Sequence, residues 1–236
     1  MLDDLEVFIV CHDQNIIVEY ESTNKFKSLP LYRYLFVGSG SVDLIKNNLK
    51  VIICRELKDN IEEFKYLVSF TAWYVLVKND IIKTQYISIL EYDVDLSQDF
   101  YQKNLDCLRR NSDSFIGYVV WPLTSPLFLY ATHWHPLAIE HVYGFNIKEL
   151  VYKHIEITKK NSWCSTTNCT LNIDNLKIFV DWFIPVTEMF KTYPLGAHVH
   201  ERAIKTYAII YNKKTFYIPG VLLHQQKKSH GIEALI

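Results

Sequence analysis

The sequence predicts an α/β fold, a mostly parallel sheet with helices on both faces, as a single domain over residues 1–236. Three observations predict it. Apolar runs of strand length alternate with segments of helical period through the first 120 residues, the pattern of a covered parallel sheet. The chain has 236 residues, 49% apolar and 22% charged, which is enough to bury one large core. Polar or glycine-containing loops follow several apolar runs, where open sheets of this class bind their ligands.

A first strand spans residues 6–11 and runs into His12-Asp13-Gln14-Asn15. A second, 34–37, is closed by Gly38-Ser39-Gly40-Ser41, and a third, 51–54, precedes Arg55. Residues 60–79 read as a helix, because Ile61, Phe64, Val68, Thr71, Ala72 and Val75 keep the 3.6-residue period. Asp59 or Asn60 can cap it. Strand 86–90 follows, then a helix over 100–110 and a strand over 114–120, stopped by Trp121-Pro122. Between 122 and 143, Pro, His and aromatic residues show no period, so the stretch reads as a loop or flap. Helices are expected over 147–157, 173–191 and 201–211. Asn172 or Asp174 caps the second of these, and Pro185 removes one of its hydrogen bonds. Residues 163–171 read as extended, and 215–223 as a last strand before a lysine-rich tail.

Composition excludes some function classes. A formal charge of −1 gives no global case for nucleic acid binding. The start shows no basic and then apolar leader, and no apolar run reaches about 18 residues, so a cytoplasmic protein is expected. Peripheral association with a membrane stays open. The five cysteines form no Cys-x-x-Cys pair and read as free thiols in a reducing compartment.

The most informative stretch is residues 87–96, Ile-Ser-Ile-Leu-Glu-Tyr-Asp-Val-Asp-Leu, an apolar run ending in two aspartates one residue apart. Side chains at i and i+2 of a strand share a face. Asp93 and Asp95 are therefore expected to point the same way, where a hard divalent ion such as Mn²⁺ or Mg²⁺ relieves their repulsion and can hold a diphosphate. His12, Asp13, Gly38, Ser39 and Arg55 also follow apolar runs. With Asp93, they are expected to line one crevice that binds a nucleotide.

The first hundred residues resemble bacterial capsule- and lipopolysaccharide-type glycosyltransferases with a GT-A fold. The resemblance rests on Val7-Phe8-Ile9-Val10-Cys11-His12, on the stretch Phe70-Thr71-Ala72-Trp73-Tyr74-Val75-Leu76-Val77-Lys78-Asn79, and on Tyr86-Ile87-Ser88-Ile89-Leu90. Later, His200-Glu201-Arg202-Ala203 is similar to the Glu-Arg that opens a C-terminal helix in these enzymes. One departure is Glu91-Tyr92-Asp93-Val94-Asp95, which stands where the relatives carry a His-Tyr-Arg-Arg type loop. The resemblance implies a Rossmann-like sheet and a nucleotide-sugar donor used through residues 1–120. It also implies a glycan or glycolipid acceptor met by residues 121–236.

Enzymes of this kind often take a further metal ligand from a late His, and His224, which directly follows an apolar run, is favoured over His230. Lys227 and Lys228 could neutralise a departing diphosphate. The acceptor hydroxyl needs a base, for which Glu201, Asp174 and Asp181 are the candidates. The aromatics Trp121, Trp134 and Tyr143 could stack on a sugar. Two rivals remain: a binding module without turnover, and a metal hydrolase built on His133, His135 and His141.

Overall fold

Seven consecutive buried residues form strand β1 (Leu5–Cys11), and their burial on both faces marks a strand at the centre of a covered sheet. The structure, a computed structural model, describes residues 5–64, 67, 69–129, 134–164, 167–190 and 196–224. Helix α1 (Gln14–Thr23) follows, then β2 (Tyr32–Phe36), β3 (Val51–Ile53), α2 (Ser69–Lys78), β4 (Tyr86–Glu91) and β5 (Val94–Leu96). The middle of the chain gives α3 (Phe100–Arg110), β6 (Ser114–Gly117), β7 (Val120–Trp121), α4 (Pro126–Leu129), α5 (Trp134–Tyr143) and α6 (Ile147–Thr158). The last part gives β8 (Trp163–Cys164), β9 (Cys169–Asn172), α7 (Ile173–Thr187), α8 (Gly196–Ile210), β10 (Lys214–Tyr217) and β11 (Leu222–His224).

The main sheet has the order β10-β6-β9-β4-β1-β2-β3. All neighbours are parallel except β9, which runs antiparallel to both β4 and β6. Alternation along the strands divides the core in two. Phe8, Val10, Leu35, Ile87 and Ile89 pack with Phe70 and Trp73 of α2 and Phe179 and Phe183 of α7. Val7, Ile9, Cys11, Tyr34 and Leu90 pack with Ile17 and Tyr20 of α1 and Phe100 and Leu108 of α3. Helices therefore cover both faces, as the sequence predicts.

Several expected elements differ. The helix expected over 60–79 begins only at Ser69, because the Glu62 carboxylate accepts the Gly38 N–H at 2.7 Å and ties that segment to the β2 loop. Helix α1 replaces an expected polar loop; only Ile17 and Tyr20 of it are buried, too few for a visible period. Helix α5 lies in the expected flap, and Pro136 fits because its missing N–H falls in the first turn. Pro185 lies inside α7, and α8 starts before Glu201. The runs 114–120, 163–171 and 215–223 each break in two, one half joining the main sheet and the other a short ribbon. The ribbons are β7 with β8 and β5 with β11.

Candidate active site

Parallel strands present their carboxyl ends together, and here the register aligns them. Cys11 is opposite Phe36 and Val10 opposite Glu91, so His12, Gly38 and Glu91 emerge at one edge of the sheet. The antiparallel β9 contributes its start to the same edge. The Glu91 N–H donates to Asn168 Oδ1 at 2.6 Å, and the Thr167 hydroxyl donates to Glu91 Oε1 at 2.7 Å. Gly117, the last residue of β6, closes the row.

Two recesses flank Glu91. The first, about 220 Å³, lies at the ends of β1 and β2 and is lined by His12, Gly38, Ser39, Glu62, Phe64 and Thr71. Gly38 has φ +86°, a conformation that side chains disfavour, and its loop is pinned by Arg55 Nη1, which donates to the carbonyls of Gly38 and Gly40 at 2.8 Å each. Glu62 holds one oxygen on the Gly38 N–H while the other is buried without a hydrogen bond among the described residues. Burial raises its pKa, against the Gly38 N–H and the charge of Arg55. The His12 ring meets Tyr92 edge-on at 5.2 Å, linking this recess to the end of β4.

The second recess lies between α8 and the ends of β6, β9 and β10, with Glu201, Asn168 and Gly117 among its walls. A side chain at Gly117 would place Cβ 2.0 Å from Cys164 Sγ, so the backbone can approach here only with glycine. Glu201 keeps 19% of its side chain exposed and sits 3.5 Å from Arg202, whose guanidinium lies over the Trp163 ring at 5.2 Å. Burial first and then the charge of Glu91 raise the Glu201 carboxyl, Arg202 opposes both, and the net value is about 8. The recesses are centred about three strand spacings apart, on the order of 14 Å, with Glu91 between them.

The expected aspartate pair is differently arranged. Asp93 lies buried in the turn after β4, whereas Asp95 lies on β5, half-exposed, with Lys25 Nζ 3.4 Å from its carboxylate. They do not leave one strand end as a matched pair. Strand β11 pairs antiparallel with β5, Leu223 opposite Asp95 and His224 opposite Val94. Among the described residues, no three His, Cys, Asp or Glu side chains converge as a metal cage.

Other expected site residues have structural partners. Asp13 caps α1, accepting from the Asn15 N–H at 2.9 Å and the Asn15 side chain at 3.0 Å. Asp174 is exposed in the first turn of α7, beyond Asn172, which is opposite Tyr86 at the start of β4 and so at the far end of the sheet. Asp181 is exposed and paired with Lys78 at 2.7 Å, on the last residue of α2. His200, next to Glu201, is a core residue among Phe70, Trp73 and Phe183, and burial lowers its pKa to about 3. Tyr143 stacks on Trp182, and Trp121 is 45% exposed on β7 opposite Trp163. His141 is exposed on α5; His133, His230, Lys227 and Lys228 lie outside the described residues, as do the side chains of Trp134, His135 and His224. Sequence reasoning missed Glu91 and Glu62. Glu91 ends the same apolar run that drew attention to Asp93, two residues earlier; Glu62 was hidden in the expected helix.

No family model matches this chain, and no curated protein matches it by sequence. Solved structures do. An apo structure of the bifunctional glycosyltransferase WbbM matches at TM-score 0.60 and 12% identity, over 95% of this chain and 46% of that one. The mannosyltransferase Ktr4p from S. cerevisiae matches at TM-score 0.42 and 12% identity, over 85% of this chain and 65% of that one. This chain spans about half the length of WbbM. The likeness to WbbM is one of fold alone, a mostly parallel α/β sheet covered by helices on both faces.

Proposed function

We propose that the protein is a glycosyltransferase moving a sugar from a nucleotide-sugar donor to a glycan or glycolipid acceptor. The observation that carries this reading is a largely buried carboxyl, Glu201, in the wall of the second recess, near the charge of Glu91 at the carboxyl edge of the sheet. The donor nucleotide lies in the recess of His12, Gly38 and Ser39, and the acceptor lies on the α8 side. Glycosyl transfer develops oxocarbenium-like positive charge at the sugar, which a nearby carboxylate stabilises. Glu91, oriented by Thr167, is suited to that task. Glu201 takes the proton of the attacking hydroxyl, and a base with a pKa near the working pH is effective in that role. Arg55 serves by fixing the Gly38 loop and Asp13 by starting α1.

The same reading includes a divalent ion, Mn²⁺ or Mg²⁺, at the β5–β11 ribbon. Asp93 and Asp95 would hold it, with Lys25 competing for Asp95, and His224 at the end of β11 is the third ligand proposed. When bound, the ion supplies positive charge to the departing diphosphate. The hydrolase alternative gains nothing from the exposed His141.

A thermal-shift screen of UDP-, GDP-, dTDP- and CMP-sugars, with and without Mn²⁺, tests the reading. A donor at 100 times its Kd stabilises the protein by about 2.7 kcal/mol. One donor class is expected to raise Tm, more so with Mn²⁺. No shift with any nucleotide would remove the donor site.

A further inference from the structure

Lys205 follows Glu201 by four residues on α8, on the same helical face. It is 6% exposed, and its ammonium donates to the Thr215 hydroxyl at 2.9 Å. An ammonium carries three donors, and a hydroxyl offers no countercharge. Among the described residues no carboxylate stands within ion-pair distance of Lys205. Cys164 lies beside it, but burial pushes that thiol up to about 11, so it stays neutral. The other nearby charge, Lys160, has the same sign, and it also lowers the pKa of His154 on the neighbouring α6 after burial has done so. His154 Nε2 is buried with no hydrogen-bond partner among the described residues. Burial lowers the Lys205 pKa to about 8, so below that pH this corner of the fold holds a buried ammonium without an ion-pair partner among the described residues.

It also has space. The second recess encloses about 30 Å³ beside Lys205, Thr215, Gly117 and Glu201. That is room for one or two water molecules, or for the oxygens of a charged group, but not for a sugar ring. We propose that this cavity is an anion subsite that receives a carboxylate or phosphate of the acceptor, the sugar ring remaining outside it. Lys205 supplies the charge. The Thr215 oxygen accepts from Lys205, which leaves its O–H to donate to the anion. The inference rests on the placement of the acceptor beside Glu201, and it narrows the acceptor class to acidic saccharides.

Binding of glucuronate, glucose 6-phosphate and glucose, measured by saturation-transfer NMR without any donor, tests it. At least one acidic sugar is expected to bind roughly tenfold tighter than glucose, and the stronger of the two identifies the anion. Lys205→Met should erase the preference, and Lys205→Arg should keep part of it, with thermal unfolding as the check on folding. Equal binding of charged and neutral sugars by the unaltered protein overturns the proposal even if Lys205→Met fails to fold. So does a preference that survives in Lys205→Met. The donor is absent from this measurement, so a protein that binds glucuronate through Lys205 yet uses no nucleotide-sugar loses only the transfer reading. One that transfers solely to neutral acceptors loses only the subsite.

Discussion

Glu201 shows how one helix gives neighbouring residues different chemistry. His200 turns into the aromatic core and stays neutral, while Glu201 faces the sheet edge with the Glu91 charge near it. A carboxyl whose folded pKa is raised from 4.5 to about 8 keeps a proton that the unfolded chain gives up. This group therefore lowers stability as pH rises through that window, and Glu201→Gln should remove that slope from Tm measured against pH. As the base, Glu201 acts only when deprotonated, so kcat/KM should rise toward a plateau above pH about 8. Glu201→Gln should cut the rate roughly 10²-fold and flatten the profile. A variant with the parent's rate and profile would return the base role to another group. At this scale the sequence was legible where residues follow a strand end, as at His12, Gly38 and Ser39, which line one recess. It was not legible where an acid spends itself on a local partner, as Asp13 does on Asn15 and Asp181 on Lys78. No local pattern announces such partners.

The β5–β11 ribbon is the element on which the proposed metal site depends. Its pairing joins residues 94–96 to 222–224, a link no local pattern reveals. The Asp93 and Asp95 geometry was not legible, because the turn after Glu91 ends β4 before either aspartate and breaks the alternation. Lys25 competes with a cation for Asp95. Mn²⁺ binding, followed by titration calorimetry, should be lost in Asp93→Asn and strengthened in Lys25→Met, which removes a competing cation from Asp95. An Asp93→Asn protein with unchanged Mn²⁺ affinity would take the site off this ribbon. Elsewhere, α2 and α7 were readable from apolar period. Helix α5 escaped because its first turn holds Pro136 and its sequence lacks a polar face.

Across the whole molecule, strand order decides what meets what. Alternating apolar runs made the parallel, two-faced sheet legible. The insertion of the antiparallel β9 between β4 and β6 was not, since its pairing with both is set only by tertiary contact between distant segments, and its four residues carry no direction signal. That insertion brings Thr167 and Asn168 to Glu91 and sets the α8 recess beside it. The central claim is that transfer occurs at this edge, between the recesses. Release of nucleoside diphosphate from the donor found by thermal shift, with and without a saccharide acceptor, measures it most directly when the parent is compared with Glu91→Gln and Glu201→Gln. Acceptor-dependent release by the parent, reduced roughly 10²-fold or more in both folded variants, is the predicted result. Release unchanged by either substitution, or absent from the parent with every donor, would contradict the account.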